Sequence, residues 1–231
     1  MKSLNIVLLL ILAAFLVGCA APATVNFAHT PATATTVKNS VTIDKPFEQA
    51  WNDMIKRMTV SQYRINNIEK ASRIINMEYQ IDNAADVEKY IDCGTNHRVI
   101  QYDGSPRKFN YSVANSTKYE TVVHDRHYYW FEVAPVSKLS GTVNVYMSPL
   151  NDKQTEISVN ARYKIRRTFS GDYYTQRNSG KYLRNGRLKW NPVSFTLTTQ
   201  QPGIYPVDTK PPIRCFSKGT IEAQFLDYAK Q

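Results

Sequence analysis

The sequence predicts an α+β protein, a curved antiparallel sheet with an N-terminal and a C-terminal helix packed on one face. Three observations carry that expectation. Phe47, Ala50, Trp51, Met54, Ile55 and Met58 recur at steps of three and four, the spacing of one helical face. Further on, Val143 and Val145 alternate with Thr142 and Asn144, and Ile157, Val159, Ala161, Tyr163 and Ile165 alternate likewise. Period-two alternation describes strands with one wet face. Helical spacing returns at the end, in Ile221, Phe225, Leu226 and Ala229. Two helices over one sheet face would bury all of these stripes together.

The elements follow in order. Residues 1–18 read as a signal peptide: Lys2 is a positive start, Ile6 to Phe15 an apolar stretch, and small residues follow. That stretch is too short to cross a bilayer, which needs roughly 20 apolar residues. It ends on Leu16-Val17-Gly18-Cys19, which resembles the lipobox of bacterial lipoproteins. The resemblance implies that Cys19 is acylated and becomes the first residue of the mature chain. Ala20 stands where an aspartate would resemble an inner-membrane retention signal, so the expected address is the outer membrane, facing the periplasm. The alternative is an ordinary secretory signal with a coincidental cysteine. Multiple acyl chains anchor a protein firmly, whereas one chain binds marginally.

The chain has three cysteines. With Cys19 taken by lipid, Cys93 and Cys215 remain, and an oxidising periplasm favours a disulfide between them. Two separate buried thiols are the alternative. A metal site is not expected, because neither cysteine lies in a C-x-x-C or at ligand spacing from a histidine.

Residues 19–40 are small, polar and proline-punctuated, and read as a flexible tether spanning roughly 25 Å on average. The domain expected over 41–231 opens with a short strand at Val41 to Ile43. Asp44 is placed to cap the first helix, with Pro46 in its first turn. Residues 63–69 and 73–82 suit a hairpin. From Asp86 to Tyr119, Gly94, Gly104 and Pro106 predict a long loop or short irregular pieces. Thr121 to Val133 reads as one strand. Two further strands meet at Asn151, Asp152 and Lys153, residues 193–199 form another, and a proline-rich connection leads to Cys215 and the last helix. This order, with the opening IDKPFEQAW, resembles the helix-grip domains of START-like proteins and of BamC-type accessory lipoproteins of the outer-membrane barrel-assembly machinery.

Composition bounds the chemistry. The net charge of +10 calls for an anionic neighbour. In the periplasm that means phospholipid headgroups, lipopolysaccharide, cell wall or acidic protein partners, and nucleic acid is not expected. G-x-S-x-G, HExxH, Walker A, G-x-G-x-x-G and CxxC motifs are all missing from the sequence. His124 and His127 in HDRH would point to opposite faces of a strand, so no catalytic, metal or cofactor residue is nominated. The informative stretch runs from Arg162 to Trp190. It carries Arg166, Arg167, Arg177, Lys181, Arg184, Arg187 and Lys189 against one acid, Asp172, with Tyr173, Tyr174, Tyr182 and Trp190 interleaved. These residues are the expected anionic-contact surface; a solvated loop is the alternative. The expected function is a non-enzymatic accessory or scaffold lipoprotein of an envelope complex. The rivals are a module holding an apolar or anionic ligand and an envelope enzyme such as a cell-wall hydrolase.

Overall fold

The computed structural model describes residues 23–101, 105–125, 127–176, 182–206 and 211–230. Its centre is a seven-stranded antiparallel sheet. The main path is β11 (Tyr182–Thr198), β10 (Gln154–Gln176), β9 (His127–Asn151), β4 (Ile74–Ile81) and β3 (Arg64–Glu69). Strand β2 (Ser40–Ile43) pairs with the start of β10, and β8 (Tyr119–Asp125) with the start of β9. Helix α1 (Phe47–Thr59) lies against β9 and β10, the last helix, α3 (Thr220–Lys230), lies against β10 and β2, and the two touch each other. The α+β class and its two-helix cover are as the sequence predicts.

The core forms where alternation meets helical spacing. Val143, Val145 and Met147 of β9 and Ile157, Val159, Tyr163 and Ile165 of β10 are fully or almost fully buried. Trp51, Met54 and Met58 of α1 and Ile221 and Phe225 of α3 close over them in one cluster. The space between helices and sheet is thus filled by side chains. Helix α1 starts at Pro46, whose carbonyl accepts from the Ala50 N–H at 3.0 Å. Asp44 does not cap it; its carboxylate accepts instead from Gln154 Nε2 at 2.8 Å, across the start of β10.

Three expectations are corrected. The segment expected to be a free tether is ordered from Ala23, with β1 (Thr24–Thr30) paired residue for residue with β6 (Thr95–Gln101). Backbone pairing to an edge strand is indifferent to side-chain composition, so small polar residues do not forbid it. Two glycines make room for this segment. A Cβ on Gly94 (φ +78°) would lie 2.2 Å from the Thr30 carbonyl oxygen, and one on Gly219 (φ +72°) 2.8 Å from Val37 Cγ1; only glycine adopts such φ without cost. The region expected to be irregular holds helix α2 (Ala84–Tyr90), with Asn83 accepting from the Ala85 N–H at 3.1 Å, then β5 (Ile91–Asp92), β6 and β7 (Pro106–Ser112). Finally, the strand expected over 121–133 is two strands, because the chain reverses within HDRH and β8 pairs back on β9.

Strands β1, β6 and β7 form a second, three-stranded sheet beside β8. A third joins β12 (Gly203–Ile204), β13 (Arg214–Ser217) and β5. Cys93 and Cys215 are bonded, buried, and 122 residues apart in sequence. The bond fastens the turn after β5 to β13, just ahead of α3.

Candidate functional site

Strand β10 sorts the basic stretch onto two faces. Its odd-numbered residues continue the core face, while Arg162, Lys164 and Arg166 are exposed on the other. Their neighbours on β9 are Thr142, Ser140 and Lys138, and on β11 they are Thr198, Thr196 and Ser194. No acid stands opposite any of the three. Arg162 and Lys164 line a cleft of about 810 Å³ on this face, together with Arg64, Glu78, Gln80 and Thr196. Glu78 is bonded to Arg64, and Lys138 is tied to Asp82 at 2.8 Å. Among the described residues, Arg162, Lys164 and Arg166 make no ion pair.

The cationic face continues toward the distal end of β10 and β11. Asp172 pairs across the strands with Arg187 and Ser170 with Lys189. Arg184 is bonded to Asp172 at 2.9 Å, and this hydrogen bond holds the Asp172 carboxyl below its ordinary range. Arg184, Arg187 and Lys189 are exposed. Tyr174 lies on this face, stacked on Trp130 at 4.4 Å. Arg177 and Lys181 lie outside the described residues, as does Cys19; for Tyr182 the backbone alone is described, paired with Gln176.

Arg167 is a correction to the expected contact surface. It occupies an odd position on β10 and is buried, with 3% of its surface exposed. Nε donates to Ser137 Oγ, Nη1 to Tyr205 Oη and Nη2 to the Asn115 carbonyl, each at 3.0 Å. The guanidinium lies 5.1 Å from the Phe169 ring and 5.4 Å from that of Tyr205. A buried cation persists only when its donors are satisfied, so Arg167 is a tie between strands and cannot meet an external anion.

Tyr173 and Trp190 separate from the cations as well. They share the core-side face of the strands, beyond the reach of the helices, where Phe131 lies 6.1 Å from Tyr173 and 5.9 Å from Trp190. There Tyr119, Val123, Phe131, Phe169, Trp190 and Val193 line an open, mostly apolar cleft of about 350 Å³. Leu183 and Leu188 of β11 are exposed on the same face. The sequence reading named Tyr173 and Trp190 among the cations and missed the apolar residues beside them. The available signal was the alternation in YLRNGRLKW, which places Leu183, Leu188 and Trp190 against Arg184, Arg187 and Lys189 once a bulge at Asn185 is allowed.

One buried polar cluster fixes α3. Glu222, fully buried, accepts from Tyr163 Oη at 2.8 Å and Thr199 Oγ1 at 2.7 Å, and Ser217 Oγ donates to Tyr163 Oη at 3.0 Å. Burial, with Glu222 beside it, pushes the Tyr163 hydroxyl well above its ordinary range. Both carboxylate oxygens are engaged inside the core, so the cluster joins helix to sheet. Among the described residues no three His, Cys, Asp or Glu side chains converge as metal ligands, and no helix is long and apolar enough to cross a membrane.

Fold and site together define a basic, disulfide-braced α+β protein whose strands β9–β11 carry cations on one face and, on the other, an apolar surface that no described residue covers. No family model, curated protein or solved structure matches the chain.

Proposed function

We propose that this chain is a non-enzymatic, lipid-anchored protein of the outer membrane, facing the periplasm. It serves as an accessory or scaffold of an envelope complex and holds an anionic partner on the outer face of β9–β11. The observation that carries this reading is the row of exposed cations along β10, Arg162, Lys164 and Arg166, continued by Arg184, Arg187 and Lys189. A row of like charges in which, among the described residues, Arg184 alone is ion-paired repels itself, and an external anion relieves that repulsion. The filled helix–sheet interface favours a scaffold over an enclosed apolar-ligand module, since ligand pockets are concave cavities of about 300–1,000 Å³ that enclose most of the ligand.

Replacing Arg166, Arg184, Arg187 and Lys189 together by glutamine tests the surface. Each exposed change should alter stability by less than about 0.5 kcal/mol. Binding to anionic envelope fractions should weaken, and the wild-type interaction should fade as salt rises. Equal binding by variant and wild type at low salt would remove the surface from the account. The anchor has its own test, because Cys19→Ala should release the protein from membranes.

A further inference from the structure

The apolar face of the distal hairpins has no cover among the described residues, although it continues the core face. Val123, Leu183, Leu188 and Trp190 are between 38% and 48% exposed there, around the more sheltered Phe131 and Phe169. Strand β11 is the sheet edge and is amphipathic on either side of the bulge at Asn185, with Arg184, Arg187 and Lys189 on its opposite face. Arg184 and Arg187 are tied on that outer face to Asp172 and Ser170, whereas the long side chain of Lys189 at the edge can bend around it and carry its charge to the apolar side.

The position of the chain start says what lies near this face. Thr24, the first residue of β1, stands five residues after Cys19, a reach of roughly 17 Å at full extension. Thr24 pairs with Gln101 and Gln101 with Pro106. The next residue, Arg107, lies 5.4 Å over the Trp130 ring, and Trp130 pairs with Val122. The start of β1 therefore lies at the same end of the molecule as the tip of the β8–β9 hairpin. Phe27 also reaches the apolar cleft through one side chain. Arg98 lies 5.5 Å from its ring and 4.9 Å from that of Tyr119, and donates to Thr121 Oγ1 at 2.6 Å.

We propose that the apolar face of the β8–β11 hairpins seats in the interfacial layer of the phospholipid leaflet that carries the Cys19 lipid, with Trp190 in that layer and Lys189 on a lipid phosphate. The inference rests on the reading of Cys19 as an anchor. Aromatic rings with apolar neighbours and a flanking cation suit the headgroup region, where the negative surface potential attracts the cation.

The test uses the lipidated full-length protein in vesicles of phosphatidylethanolamine and phosphatidylglycerol whose acyl chains carry bromine. Trp51 is buried in the core and Trp130 lies on the other face, so Trp190 reports the contact. Its emission should shift to the blue and be quenched, and Trp190→Phe should abolish the quenching. Leu183→Asp with Leu188→Asp should also abolish it, while the protein melts as wild type and still floats with the vesicles. Flotation with unquenched Trp190 would overturn the proposal and leave the anchor standing. Quenching of added Cys19→Ala protein at low salt would support the hairpin contact without the anchor, and absence of both flotation and quenching would overturn both. A concentration-dependent blue shift without lipid, with doubled mass in light scattering, would assign the face to a second copy and overturn the proposal.

Discussion

Strands β9 and β10 pass through two regions that differ in what lies over them. From Leu139 to Met147 and from Ile157 to Ile165 their inward residues meet α1 and α3 and lose nearly all contact with water. From Tyr129 to Val133 and from Phe169 to Tyr173 the same face of the same strands meets no helix. The alternation is equally apolar in both regions, with Val143 and Val145 in one and Phe131 and Phe169 in the other. Helix α1 has 13 residues and α3 has 11, about 20 Å and 17 Å at 1.5 Å per residue. A strand of 23 or 25 residues runs to about 75 Å or more. Two short helices cannot cover such a sheet, so the same pattern builds a core at one end and an open apolar surface at the other.

The covered region should carry the stability and the distal hairpins little of it. The largest effect is expected from the disulfide that braces the covered end. Replacing Cys93 and Cys215 together by serine should cost up to about 5 kcal/mol, the chain-entropy figure for a loop of this length. Denaturant unfolding with and without reductant measures it.

Next come paired truncations on the two regions. Met58→Ala, on the buried face of α1, should cost about 3 kcal/mol, and Leu188→Ala on the open face less than about 0.5 kcal/mol. Equal losses at both sites would mean that the hairpins are buried in the free protein, which would break the comparison.

Glu222 sharpens it within the core. Glu222→Ala strips an acceptor from Tyr163 and Thr199 and should cost about 3 kcal/mol, whereas Glu222→Gln keeps the shape and one acceptor and should cost about 1 kcal/mol. Thermal melts of the two variants side by side test the ranking.

How much was legible in the sequence follows the same divide. Helices and core strands declare themselves through side-chain periodicity, and α1, α3, the β3–β4 hairpin and the β9–β10 turn fall where the pattern puts them. The Cys93–Cys215 pairing was accessible by parity once Cys19 was set aside. What the sequence hid was encoded elsewhere. Strand β1 is held by backbone pairing, which composition does not record. The reversal within HDRH carries no glycine or proline to mark it. Arg167 was within reach, since the alternation from Ile157 to Ile165 already places position 167 inward, but counting cations along the chain outweighed their parity. The apolar face on β11 was obscured by the bulge at Asn185, which shifts the alternation by one residue partway along the strand.

The most direct measurement is hydrogen exchange on the lipidated protein, compared in neutral detergent and in anionic vesicles. Added protection should fall on residues 169–176 and 182–193, the hairpin that bears the cations and the open face. Residues 141–147 and 157–165, under the helices, should exchange alike in both conditions. Protection gained on α1 or α3 instead, or no difference anywhere, would contradict the claim that the distal hairpins make the contact while the covered end supplies the scaffold.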